Sequence, residues 1–305
     1  MRASAFRTAT ARDEYARIYR QAVEQSDVAL DERDIDTSYG STHVLTAGDP
    51  AKPPLVALHA KSFSSTMWIP LLPTLAASHH VHLVDAVGDL NLSVATRPLS
   101  KPAHVGAWLT ETLDALSIER SAFVGASIGS WMAVHFTMQH PARVERLAML
   151  CPAGVVSRQH LRWVMGMVTK VLIRPTKDGL EAFADSMVMP ATQVRLRQDP
   201  WKPIVEQFAV GVPTFRSRAN EARPKLCDIT PLAALDIPML TLVPKDETLH
   251  DGPAMAQRFR HKLPNARIDV VESTNHLMFI DDSMLVADRL RAFLTDDQSA
   301  TQTEW

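Results

Sequence analysis

Ser127 stands in "FVGASIGSW", residues 123–131, between two glycines and directly after an apolar run. A serine hydroxyl attacks a carbonyl carbon only when a base takes its proton and a third group orients that base. The Gly-x-Ser-x-Gly spacing describes a place for such a serine. A tight strand-to-helix turn brings the residues two before and two after the serine together. Gly125 and Gly129 have no side chains to collide there. The helix expected behind the turn directs its free N–H groups and positive dipole end toward the serine oxygen.

In such an arrangement the chain order is serine, acid, histidine. "VVESTNHLMF" supplies His276 after the last apolar run that reads as a strand. The acid is sought after the preceding strand, where "MLTLVPKDETLHD" offers Asp246, with Glu247 and Asp251 as rivals. The loop after "VERLAML" is "CPAGVV" and holds no carboxylate, which favours Asp246. Acyl transfer builds negative charge on the former carbonyl oxygen, and two backbone N–H groups should face it. Ile128, next to the serine, is expected to give one. Lys61, in "HAKSFSS", is expected to give the other, with Ser62 behind it and His59 bracing the loop rather than acting as a base. The Lys61 side chain has two readings. Its ammonium lies in water with the stem along the loop, or it recruits an acidic group on the substrate.

These residues lie far apart along 305 residues, so a framework must gather them. Residues 12–25 read as an amphipathic helix, and two β-rich runs around Gly40 read as a hairpin. "PPLVALHA", "HHVHLVDAVGD", "SAFVGAS", "VERLAMLCP", "IPMLTLVP" and "ARIDVVES" read as strands, the second turning at Asp85. "KPAHVGAWLTETLDALSI", "GSWMAVHFTMQH" (ended by Pro141), "GPAMAQRFRHKL" and "SMLVADRLRAFLT" read as helices. Nearly continuous apolar strands alternating with helices predict a mostly parallel sheet covered on both faces.

The rhythm breaks between residues 155 and 232, which carry helical patches, several prolines and no clear strand. The expected division is therefore a core of residues 1–154 and 233–305 with a helical cap of residues 155–232. Residues 1–30 are expected to be an N-terminal helical extension and 296–305 a disordered tail. The cap stands over the carboxyl edge of the sheet, where open α/β sheets bind ligands. It is rich in Met165, Met167, Met187, Met189, Val168, Leu172, Phe183, Trp163 and Trp201. Most of these are expected to pack the cap, and a few to line an apolar pocket. Phe63, Trp163, Met167, Met187 and Leu277 are assigned to that pocket.

Composition narrows the class. Apolar residues make up 46% and charged residues 22%, with a formal net charge of −2. That is ordinary for a globular domain and gives no basic field for nucleic acid. No run of 18 apolar residues suggests a membrane span, and the N-terminus does not read as a secretion signal. Cys151 and Cys227, the two cysteines, form no metal-ligand pattern. No metal is expected, the thiols are expected to be free, and the location is expected to be cytoplasmic. A homodimer is left open.

"HAKSFSSTMWIP", "VDAVGDLNLS", "VGASIGSW" and "TNHLMF" together resemble the α/β-hydrolase superfamily, and within it the bacterial carboxylesterases related to the naproxen esterase of bacilli. Gly88, Asp89, Asn91 and Ser93 match that group's "GDxNxS" segment, and the resemblance spans about residues 12–295. It implies an α/β-hydrolase fold: a mostly parallel eight-stranded sheet, helices on both faces and a helical cap inserted after the sixth strand. It also implies a cofactor-free esterase with Ser127, Asp246 and His276 as its triad, acting on a small hydrophobic ester. Three positions depart from the group: His59-Ala60, followed by Lys61, where it has His-Gly, Pro244 for the glycine after the seventh strand, and Asn275 for the glycine before the histidine. The same triad would serve a thioesterase or a carbon–carbon bond hydrolase. A biosynthetic cyclase or lyase and a ligand receptor on the same scaffold are the further alternatives.

Overall fold

The computed structural model describes residues 5–173, 175–216 and 226–295. The tail expected to be disordered lies outside the described residues. The chain opens with α1 (Ala9–Glu24), capped by the Thr8 hydroxyl, which accepts from the Ala11 N–H. Ala11, Tyr15, Ile18, Tyr19 and Ala22 recur at helical spacing and are all buried. Strands β1 (Leu30–Thr37) and β2 (Gly40–Ala47) form the expected hairpin, with Gly40 at φ +133° where a side chain would be strained.

There follow β3 (Pro54–Leu58), α2 (Leu72–Ala76), β4 (His80–Val84), β5 (Val94–Ala95), α3 (Pro102–Ala115), β6 (Ser121–Ala126), α4 (Ile128–Gln139) and β7 (Val144–Leu150). Between β7 and the next strand the described residues hold only helices and loops apart from one isolated bridge at Phe215. The helices are α5 (Leu161–Met167) continuing into a π turn, α6 (Lys177–Asp185), a 3-10 helix (Pro190–Arg197), α7 (Trp201–Gly211) and a second 3-10 helix (Thr230–Ala234). The rhythm then resumes with β8 (Met239–Pro244), α8 (Gly252–Lys262), β9 (Arg267–Val271), α9 (Met278–Asp281) and α10 (Ser283–Leu294).

The strands order as β1-β2-β4-β3-β6-β7-β8-β9. The first three pair antiparallel and the remainder parallel. This path has the eight strands expected. A ninth, the two-residue β5, pairs with β2 beside it. It escaped the sequence because two residues carry no periodicity. The helical segment follows the sixth strand of the path. The N-terminal helix packs on α7, within the helical segment.

Every residue of β6 and β8 is buried, as a parallel sheet covered on both faces requires. One apolar layer contains Tyr15, Trp68 and Leu290. The other contains Trp108, Phe136 and Phe259. Register aligns the strand ends: Leu58 lies opposite both Val84 and Gly125, Leu150 opposite Ala126 and Leu242, and Pro244 opposite Val271. The loops carrying Lys61, Asp89, Ser127, Glu247 and His276 therefore leave the sheet from a single edge.

Candidate active site

The turn from β6 into α4 places Ser127 at φ 52° and ψ −111°, a conformation a serine adopts only under restraint. The restraint is visible. Ser127 N–H donates to Leu150 O at 2.9 Å, and its carbonyl accepts from Ser130 N–H at 3.1 Å and Ala153 N–H at 3.3 Å. The Ser130 hydroxyl donates to Gly125 O at 2.7 Å. A Cβ on Gly125 would lie 2.4 Å from Gly129 backbone atoms, and one on Gly129 only 2.2 Å from Leu58 O. A side chain at residue 125 would run into residue 129, and one at residue 129 into the end of β3.

The His276 ring bridges two groups. Its Nε2 is 3.0 Å from Ser127 Oγ, and its Nδ1 is 2.9 and 3.1 Å from the two carboxylate oxygens of Glu247. All three residues are buried. The carboxylate holds a proton on Nδ1 and leaves Nε2 as an acceptor facing the hydroxyl.

The expectation of Asp246 at this place is corrected. Asp246 is exposed. Its backbone N–H donates to Thr274 O at 3.0 Å, which ties the β8 loop to the His276 loop while the side chain points to solvent. Glu247, the next residue, turns inward, and its Oε1 also accepts from Leu249 N–H at 2.8 Å. Asp251, the other rival, caps α8 by accepting from Ala254 N–H. Three carboxylates within six residues thus do three different things, and only side-chain direction tells them apart.

Ile128 is the first residue of α4, where N–H groups have no acceptor within the helix. Lys61 opens a tight turn: Phe63 N–H donates to Ala60 O at 3.1 Å, and Ser62 sits at φ 61°. Asp89 secures this turn. Its Oδ1 accepts from Ser62 N–H at 3.2 Å and Leu90 N–H at 2.8 Å, and lies 3.2 Å from the half-exposed Lys61 ammonium. Neither reading of the Lys61 side chain anticipated this pairing with a buried carboxylate of its own chain.

His59 braces the loop from below as expected. Its Nε2 accepts from Ala86 N–H at 2.9 Å, which assigns the ring proton to Nδ1, 2.9 Å from Ala60 O. Asn91 and Ser93 fold the rest of the segment by donating to Ala86 O and Asp85 O. Asp85 in turn accepts from Ser65 N–H at 2.7 Å.

Sequence reasoning missed two polar residues that tie the helical segment to these loops. Gln207, buried on α7, accepts from the Ser64 hydroxyl at 2.7 Å and donates to Thr66 Oγ1 at 3.0 Å. The Tyr15 hydroxyl of α1 stands 3.3 Å from the same Oε1. Asp281 accepts from Asn275 N–H at 2.7 Å, Met189 N–H at 2.8 Å and the Thr192 hydroxyl. Burial pushes its carboxyl above the ordinary value, and those donors pull the other way. Asn275 accepts from His276 N–H and Thr248 N–H, and Leu277 N–H donates to Met187 O. No hydrophobic period marks such residues, so only the folded chain brings them forward.

The residues assigned to a pocket fall in one apolar layer. Phe63, Met187 and Leu277 are buried in it, and Trp163 and Met167 pack against it half-buried. Rings run through this layer from the helical segment toward the Lys61 turn. Trp163 meets Phe183 at 5.7 Å, Phe183 stacks on Phe208 at 6.2 Å, and Phe208 stacks on Phe63 at 6.0 Å. Met165 instead faces outward, 58% exposed. The Leu172 side chain is outside what the structure describes. Among the described residues no cluster of His, Cys, Asp and Glu could hold a metal, and no helix is long and apolar enough to cross a membrane.

A family model described as "Alpha/beta hydrolase family" matches residues 55–289. An uncharacterized carboxylesterase, nap, of Bacillus subtilis (strain 168) is 27% identical over 268 residues, 85% of each chain. The carboxylesterase YbfK of the same strain is 21% identical over 85% of this chain and 86% of its own. The crystal structure of naproxen esterase (carboxylesterase NP) from Bacillus subtilis superposes with a TM-score of 0.85 at 25% identity, covering 94% of this chain and 99% of that one.

Proposed function

We propose that this chain, which belongs to the alpha/beta hydrolase family, is a serine carboxylesterase acting on hydrophobic esters. The observation that carries the reading is the unbroken row Ser127 Oγ, His276 and Glu247, with contacts of 3.0 and 2.9 Å. The similarity to carboxylesterases over most of the chain supports it.

Ser127 Oγ attacks the ester carbonyl as its proton passes to His276 Nε2. Glu247 stabilises the imidazolium that forms and keeps the ring in place. The backbone N–H groups of Ile128 and Lys61 receive the charge on the carbonyl oxygen. Collapse of the tetrahedral species expels the alcohol, which takes the proton from His276. Water, deprotonated by the same nitrogen, then releases the acid and restores the serine. No cofactor enters these steps.

Residues 155–232 act as the cap. With Ser127 and His276 only 6% and 4% exposed, the cap must shift for substrate to reach them. The ring-lined layer from Trp163 to Phe63 favours a bulky apolar acyl or alcohol group over a small polar one. A panel of chromogenic esters with Ser127→Ala as control tests the proposal. One alcohol released per enzyme in a burst, absent in the variant, is the expected sign of an acyl-enzyme. Slow turnover indifferent to the substitution would overturn it.

A further inference from the structure

The outward face of α5 has no apolar partner among the described residues. Leu161 and Met165, one helical turn apart, are 75% and 58% exposed, and Ile173 in the following π turn is 66% exposed. The inward side, Trp163 and Met167, packs on the apolar layer. Charge accompanies the exposed side chains. Between Glu145 and Asp178 the sequence has no carboxylate, while Arg158, Arg162, Lys170, Arg174 and Lys177 all fall there. Arg158, Arg162 and Lys170 are exposed, and no carboxylate among the described residues pairs with them. In a chain of net charge −2 the stretch of sequence that carries the protruding apolar groups is thus rich in cations, of which Lys177 pairs with Glu181.

We infer that this face of the cap docks on the surface of an anionic lipid aggregate. A helix lying in such an interface places apolar side chains among the acyl chains and cations among the phosphates. A second copy meeting the same patch across a two-fold axis would set cations against cations, which is unfavourable without intervening anions. The docked helix belongs to the segment that covers Ser127, so the interface would meet the cap where apolar esters accumulate. The docking itself does not depend on the ester reading.

The test uses the full chain carrying Ser127→Ala, co-sedimented with vesicles of phosphatidylcholine alone or mixed with phosphatidylglycerol. Binding to the mixed vesicles is expected, weakening as salt is raised. Arg162→Glu with Lys170→Glu should reduce that binding by roughly tenfold or more. Leu161→Ser with Met165→Ser should reduce it as well, because the apolar contact is lost. With Ser127 restored, both double variants should keep turnover of a water-soluble ester, which shows that they fold. Three results would overturn the inference: no binding of the parent to mixed vesicles, equal binding by the variants, or a lipid-free dimer that Leu161→Ser with Met165→Ser dissolves. Loss of esterase activity in the Ser127-intact chain with vesicle binding retained would count against the proposed function alone.

Discussion

Asp281 Oδ2 lies 2.7 Å from the backbone nitrogen of Asn275, the residue just before His276. Its other oxygen accepts from Met189 N–H. One carboxylate therefore joins the loop that carries the proposed base to the helical segment between β7 and β8. Asp281→Asn keeps the shape but can turn a donor toward one of these N–H groups. The expected result is a fall in kcat of about tenfold with KM little changed, in line with misplacement of a general base. Amide exchange over residues 273–278 should quicken in the variant. Unchanged exchange together with unchanged kcat would show that the contact positions nothing.

The carboxylate behind the histidine is tested by a pair of substitutions. Glu247→Gln should lower kcat/KM by roughly 10³-fold, because the amide can no longer hold the ring proton on Nδ1. Asp246→Asn should change it less than twofold, since that side chain is in solvent. Steady-state kinetics on one ester decides the matter. The reverse ranking would restore Asp246 to the role the sequence suggested.

Lys61 is expected to serve its own loop rather than the substrate's charge. Its ammonium stands 3.2 Å from the buried Asp89, which also holds the Ser62 N–H. Lys61→Ala should therefore lower kcat/KM for neutral and acidic esters alike, by less than about tenfold, as befits a half-exposed ion pair. A rise in KM confined to acidic esters would contradict this.

His82, buried on β4, ties stability to pH. Burial lowers its pKa from 6.5 to about 4, with the neighbouring His80 and Arg33 adding to the effect. Above 6.5 the ring is neutral in both folded and unfolded chains and contributes no slope. As pH falls from 6.5 to about 4, the unfolded chain takes the proton first, so stability falls across that window and levels off below it. A shift of this size corresponds to about 3 kcal/mol. His82→Gln should flatten the pH dependence of urea unfolding between about pH 7 and pH 4. Parallel curves for the two proteins would count against it.

The sheet, the serine turn and the position of His276 were legible because each leaves a local mark. Apolar runs mark buried strands, two glycines mark a turn with no room for Cβ, and chain order marks the histidine. Glu247 was not separable from Asp246, because adjacent residues share every sequence-level property except the direction of the side chain. Gln207 and Asp281 were invisible for a related reason. Each is a lone polar residue whose partners lie up to 192 residues away, counting from Gln207 to Tyr15. Such contacts follow from tertiary packing and not from any repeat in the chain.

The amide of Gln207 bears on how freely the helical segment between β7 and β8 could be exchanged among relatives. It serves the Ser64 and Thr66 hydroxyls beside the Lys61 turn and approaches the hydroxyl of Tyr15 in the first helix. A foreign segment lacking that amide would take a shared partner from two buried hydroxyls, which would keep only their 2.8 Å contact with each other and the Thr66 N–H, next to the loop proposed to hold the oxyanion. Transplantation would then have to carry the first helix along, so that the natural unit of exchange is a non-contiguous pair of segments and not the insertion by itself.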